Sequence, residues 1–207
     1  MSNYYLPGKS LAIELFIVLG LLNICGGVVL FGQCLGPPVV QTFEPGKFFS
    51  GTWYEIQSYG NELFQGFGTC SGLVSRVTED NQIALKTYSY QPILQNYITI
   101  DGRSDTKSIV NGVATLPIRF DIYGGLLSNS YQAHIIDTDY DNFAVAYLCQ
   151  QRFFIKSEMA YVLSRQQNSL NNQFSTRINN ALYAIGLTTS NLLNSINSNC
   201  GTDQPIV

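Results

Sequence analysis

Residues 114–151 read ATLPIRFDIYGGLLSNSYQAHIIDTDYDNFAVAYLCQQ. Three runs rich in apolar, β-branched and aromatic residues stand out, Ala114–Tyr123, Asn129–Asp137 and Asn142–Gln151. Turn signals at Gly124-Gly125 and Asp139–Asn142 separate them. Short runs of this kind with tight turns between them read as consecutive strands. The same texture continues on both sides. Phe49–Gly60, Thr69–Glu79, Gln82–Gln91 and Gln95–Arg103 lie upstream, the second closed by Glu79-Asp80-Asn81, and Glu158–Gln166 lies downstream. Eight strand candidates at close, regular spacing predict an all-β sandwich or barrel.

After the eighth candidate the period changes. In Ser169–Ile185, Leu170, Phe174, Ile178 and Leu182 recur every four residues. This is the narrow apolar stripe of a helix that packs on one surface only. Asn168 or Ser169 can cap its start, and Gly186 can end it.

The chain has 207 residues, a length that favours one domain. Its net charge is −3, which argues against a nucleic-acid binder with a basic stripe. Charged residues are 12% of the chain, half the usual share of roughly 25%. Aromatics reach 13%, so a disordered chain is excluded. There is a single His, which rules out a multi-histidine metal site. Residues 10–31 form an almost wholly apolar run after Lys9, leading to Gly32. That pattern reads as a secretory leader over 1–32, cut near Gly32–Gln33. Glu14 inside the run and Leu30 near the cut are imperfect for a leader, and a membrane anchor is the competing reading. No second apolar span follows, so the mature chain is expected to lack an integral membrane span. Cys34, Cys70, Cys149 and Cys200 remain after the leader. Four cysteines in a secreted chain predict two disulfides with three connectivities open, and no close pair suits a zinc site.

Three short signatures occur in order along the chain. Gly51-Thr52-Trp53-Tyr54-Glu55 lies in the first strand candidate, Thr138-Asp139-Tyr140 between the sixth and seventh, and Arg165 at the end of the eighth. Together with eight strands and a following helix, they resemble the lipocalin family, closest in pattern to the apolipoprotein D and insect bilin-binding subgroup. The resemblance covers residues 33–200, with 201–207 as a flexible tail. It implies an eight-stranded antiparallel up-and-down β-barrel with one C-terminal helix packed outside. It also implies the disulfides Cys34–Cys149 and Cys70–Cys200, each stapling a chain end to the barrel wall. Gly51, Trp53, Thr138, Asp139, Tyr140 and Arg165 are then structural. Trp53 plugs one barrel end, and the Arg165 guanidinium lies over its indole and bonds carbonyls of the N-terminal segment.

The same resemblance implies a ligand site inside the barrel. With Cys149 facing outward, alternation turns Leu148 and Gln150 inward. The likeness puts Met159, Tyr161, Tyr131, Ala133, Ile135 and Ile100 inward, with Tyr123 at the mouth end of the fifth strand and Leu85 and Thr87 on the third. If Tyr123 faces inward, Asp121 follows it. His134 falls on the opposite face from Ala133 and Ile135, outside the calyx. Phe64 and Phe67 lie in a loop that overhangs the mouth, as a lid or a contact patch.

The leading expectation is a secreted, extracellular, non-enzymatic carrier of a small hydrophobic ligand: a bilin such as biliverdin, a fatty acid, sterol, retinoid or carotenoid. No cofactor is required beyond such a chromophore as cargo. The alternatives are a subunit of a pigment complex or a receptor-interacting protein, with homo- or hetero-oligomers open. Less favoured is a lipocalin-type isomerase, which needs a free cysteine inside the barrel. No carboxylate pair or Ser/His/Asp set is recognisable in the chain.

Overall fold

The computed structural model describes residues 27–60, 68–122, 124–168 and 170–206. Eight antiparallel strands form the wall: β2 (Gly51–Tyr59), β3 (Thr69–Val77), β4 (Gln82–Gln91), β5 (Asn96–Asp105), β6 (Thr115–Ile122), β7 (Leu127–Thr138), β8 (Phe143–Arg152) and β9 (Ile155–Ser164). Each pairs with its sequence neighbour, and β9 returns to β2 in the register Tyr54↔Ser164 to Tyr59↔Ala160, which closes the barrel. All eight correspond to strand candidates read from the sequence.

Two short strands lie outside this ring. β1 (Val28–Phe31) pairs with β9, with Val28 opposite Glu158 and Phe31 opposite Ile155. It falls inside the segment that the sequence reads as leader. β10 (Leu193–Asn194) pairs with β2 at Ser58 and Gln57. No helix among the described residues is long and apolar enough to cross a membrane.

Alternation along the strands divides the protein into two apolar cores. Inward residues, with Trp53, Leu85, Leu116, Ile135 and Met159 among them, fill the barrel. Outward residues Phe143, Val145, Tyr147, Ala160 and Val162 form a second core under the helix α2 (Ser175–Tyr183), which lays Ile178, Ala181 and Leu182 on them. Arg177 of α2 pairs with Asp137 and lies 4.7 Å from the centre of the Phe143 ring. The helical region starts later than the stripe suggests. A 3₁₀ turn at Asn172–Phe174 precedes α2, capped by the Asn171 side chain, which accepts from the Gln173 N–H. Asn168 is therefore not the cap, and Ser169 lies outside the described residues. Gly186 does terminate the region, at φ 75°, a conformation that costs glycine little.

The short helix α1 (Pro45–Phe48) crosses beneath one barrel end. There Trp53 is fully buried, and its Nε1 donates to the Phe48 carbonyl at 2.9 Å. The Arg165 guanidinium sits 3.7 Å from the indole centre. Its nitrogens donate to the carbonyls of Tyr140, Ser50, Thr52, Lys47 and Phe48 at 2.7–3.2 Å. Burial lowers its pKa to about 10, which leaves it a cation at neutral pH. Asp139 accepts from the backbone N–H of Asn142 and Phe143 at 2.8 and 3.1 Å, and Thr138 Oγ1 accepts from the Tyr140 N–H. These bonds shape the turn in which Tyr140 adopts φ 68°. The three signatures thus build the closed end.

Both disulfides, Cys34–Cys149 and Cys70–Cys200, are present. The second does more than anchor a terminus. β2 and β3 pair only from Gly51↔Ser75 to Tyr54↔Gly72, and beyond that point they part. The C-terminal segment runs into the gap. β10 pairs with β2, the Ser195 N–H donates to the Ile56 carbonyl at 2.9 Å, and the Cys70 N–H donates to the Ile196 carbonyl at 2.7 Å. Residues 193–196 are thus the missing piece of wall, and Cys70–Cys200 locks it in place. The chain then crosses the outer face of β4 and β5, where Gly201 O accepts from the Tyr97 hydroxyl and Ile206 O from Lys86 Nζ.

Candidate functional site

The barrel interior holds a cavity above the floor set by Phe48 and Phe49. Every wall strand contributes to it. β7 offers Tyr131, Ala133 and Ile135; β8, Leu148 with Ala146; β9, Met159 and Tyr161; β4, Leu85 and Thr87; β5, Ile100. Of the residues that the sequence places inward, these sit in one shared space.

Two sequence readings end differently. Gln150 is not part of the lining; its amide donates to the Ser130 carbonyl at 3.0 Å, holding it to the β7 backbone. Asp121 lies on the outer wall, where it pairs with Arg103 at 2.8 Å and Arg119 at 3.3 Å. A carboxylate keeps its water and its guanidinium partners there, whereas the apolar interior offers neither. Tyr123 lies outside the described residues, as do Phe64 and Phe67. The strand leading to Tyr123 turns Ile118, Phe120 and Ile122 into the cavity. That trio was missed, although the alternation L-P-I-R-F-D-I over 116–122 carries it plainly: apolar at even positions, Arg119 and Asp121 at odd ones.

The lining is predominantly apolar with a few polar points. Tyr131 is buried and packs edge-on against Phe120, with ring centres 6.1 Å apart. The Tyr161 hydroxyl donates to Met159 Sδ at 3.3 Å. Burial, helped by the nearby charge of Glu55, holds the Tyr161 hydroxyl well above its ordinary pKa, so it stays a neutral donor at every physiological pH. Asn129 adds an amide near the mouth of the lining.

Glu55 is the one carboxyl group among the described lining residues, and it is only 3% exposed. It stands at the β2–β3 gap, where its Oε1 accepts from the Ser195 hydroxyl at 2.7 Å and its backbone carbonyl accepts from Asn197 Nδ2 at 2.8 Å. The wall piece supplied by the C-terminal segment therefore also orients the one acid of the cavity. Sequence reading assigned Glu55 only to a motif. Its alternation with Trp53, a residue fixed inside, was the signal that it points the same way.

His134 is buried, but outside the barrel, with Nδ1 3.2 Å from Thr115 Oγ1 and its ring 5.9 Å from that of Tyr147. Burial lowers its pKa and keeps it neutral. Since it is the single histidine of the chain, the cavity offers no imidazole to a metal or a haem iron. Cys70, the cysteine at the barrel wall, is bonded to Cys200 and not available as a thiol nucleophile. The free volume of the cavity is about 150 Å³. Pockets for drug-sized ligands span roughly 300–1,000 Å³, so this one suits a compact body unless the wall side chains move.

A family model described as Nitrophorin matches residues 38–207. Apolipoprotein D from Macaca fascicularis is 27% identical over 143 residues, which span 66% of this chain and 68% of that protein. Among solved structures, insecticyanin from the tobacco hornworm Manduca sexta superposes with a TM-score of 0.68 at 18% identity, covering 87% of this chain and 95% of that one. The tryptamine complex of the amine binding protein of Rhodnius prolixus gives 0.66 at 19% identity, covering 79% and 86%.

Proposed function

The chain belongs to the Nitrophorin family, whose member here has the lipocalin barrel, and on that footing we propose that it is a secreted carrier of a small hydrophobic molecule. The observation that carries this reading is the closed barrel with an apolar cavity edged by three tyrosines, Tyr88, Tyr131 and Tyr161. Transfer of an apolar body into such a space contributes about 25 cal/mol per Å² removed from water. A barrel closed by hydrogen bonds and disulfides loses little freedom on binding, so most of that gain is kept. The ligand classes are a bilin, fatty acid, sterol, retinoid or carotenoid, and the larger of these require the wall side chains to open the present free volume of about 150 Å³. Retinol or biliverdin titrated into the apo protein is expected to quench Tyr and Trp53 fluorescence with saturation. Titrations that stay flat with these and with a fatty acid refute the reading.

Secretion is supported by the apolar leader and the two disulfides. Strand β1 favours a cut just before Val28, since a cut at Gly32 would remove the strand from β9. Cys25 and Gly27 are then the small residues that a leader peptidase reads. Protein collected from the medium is expected to begin at Val28; Gln33 as first residue sinks this placement.

A second reading within the same site concerns the sign of the ligand's charge, and it rests on Glu55. A negative carboxylate in a small apolar cavity repels a fatty-acid head and attracts an ammonium group. The similarity to an amine binding protein bound to tryptamine supports a compact aromatic amine as cargo. Tryptamine is expected to outcompete a fatty acid of similar size, and Glu55→Gln to weaken tryptamine about tenfold or more while sparing retinol. Equal tryptamine affinity for both forms sinks the amine reading and leaves the carrier reading in place.

A further inference from the structure

Among the described residues, one end of the barrel carries a group of exposed large apolar side chains, while Tyr183, Leu193, Ile196 and Ile206 are exposed on the helix and the C-terminal segment. In an up-and-down barrel alternate connections share one end, and β4–β5, β6–β7 and β8–β9 share the mouth. Ile93 and Leu94 form the tip of the β4–β5 hairpin, Leu126 that of β6–β7, and Phe153 and Phe154 that of β8–β9. Phe31, at the end of β1, stacks on Phe154 with ring centres 6.1 Å apart. Ile93 is 91% exposed, Leu126 86%, Phe153 93% and Phe31 83%. The opposite end is built differently. Its connections carry Glu79, Asp80, Lys107, Asp139 and Asp141, with Val110 the one exposed large apolar residue among those described.

Charge follows the same division. Among the described residues, segments 28–32, 92–95, 124–126 and 153–154 hold no Asp, Glu, Lys or Arg, while residues 61–67, which carry Glu62, lie outside the described residues. The nearest flanking charge is Arg152, a cation. Large apolar side chains collected at one site and cleared of charge mark a surface that is covered in use.

We propose that the mouth of the barrel docks on a lipid surface. The hairpin tips enter the boundary between headgroups and acyl chains, and Arg152 meets anionic headgroups. The arrangement favours lipid over a protein partner because the tips stand apart around an opening. A fluid surface conforms to each of them, while a folded partner would have to span a hole. The proposal rests on the carrier reading and gives it a route: cargo passes between membrane and calyx without crossing water.

Flotation with phosphatidylcholine vesicles, with and without phosphatidylserine, tests this on the intact secreted protein. The variant carries Ile93→Ser and Phe153→Ser; both side chains are more than nine-tenths exposed, so the fold is not at stake. The wild type is expected to float, more strongly with phosphatidylserine, and the variant's partition coefficient to fall about tenfold or more. Retinol uptake from loaded vesicles is expected to slow in parallel. A wild type that stays at the bottom of the gradient overturns the proposal. So does a variant that floats equally well, or a wild-type dimer in sedimentation that the variant abolishes. Retinol binding in vesicle-free solution is read separately for both proteins, so a failed carrier reading appears there and a failed docking appears in the flotation.

Discussion

Replacing Arg165 by alanine is expected to lower the unfolding free energy by about 3–5 kcal/mol, the scale for stripping a partly buried charge from its partners. The guanidinium gathers five backbone carbonyls from α1, the start of β2 and the β7–β8 turn, and it covers the indole of Trp53. Two of those carbonyls keep another donor when the guanidinium is gone, Phe48 from Trp53 Nε1 and Lys47 from the Ser50 hydroxyl, and the rest of the cluster comes apart. Lysine keeps the charge but not the planar fork, so Arg165→Lys is expected to recover less than half of the loss. Urea denaturation decides the matter: a midpoint shift at constant slope is the expected result, and a loss under about 1 kcal/mol would show that the carbonyls find water instead. The floor of the cavity answers to the same residue, because Phe48 is held through its own carbonyl by both Trp53 and Arg165.

The second large effect is expected from Cys70→Ser with Cys200→Ser. The bond closes a loop of 130 residues, and its removal is expected to cost about 2–5 kcal/mol, mostly through a freer unfolded chain. A purely entropic staple would leave ligand kinetics alone. Here the bond fixes the segment that fills the β2–β3 gap and orients Glu55. Retinol is therefore expected to dissociate about tenfold faster from the double variant under conditions where it is still fully folded. An unchanged off-rate would make the segment a passive cover. Because Cys34–Cys149 lies on the far side of the wall, serine replacements there are expected to cost stability without speeding release.

What could be read from the sequence was what is local. Strand alternation and turn residues repeat within ten residues, so all eight wall strands were found. The closed end was legible because Trp53, Asp139 and Arg165 need specific chemistry at fixed places. At β6 the alternation of Ile118, Phe120 and Ile122 with Arg119 and Asp121 was the local signal that Asp121 faces outward, and a shift of one residue exchanges the two faces. β1 was hidden because a leader and a strand are both apolar, and hydrophobicity alone does not separate them. The wall piece at Leu193–Ile196 left no local signal at all. Its partners, Gln57, Ser58 and Cys70, lie more than a hundred residues away, and a polar Asn- and Ser-rich segment looks like a tail until those partners are known.

The same long-range closure governs when the barrel can come into being. β2 pairs with β9 and with β10, and Cys70 waits for Cys200, so the first wall strand has no completed neighbour on one side until the last residues are made. Loops of this length have to be closed before their contacts repay them, which slows folding. During synthesis, at roughly 5–20 residues per second, the nascent chain presents an open sheet with a bare β2 edge for several seconds. Final assembly therefore waits for Cys200 and for the oxidation that joins it to Cys70. The interval before Cys70–Cys200 forms is also the one in which the unclosed interior is open to the hydrophobic molecules around it, so the cargo has its first opportunity to enter while the vessel is still being sealed.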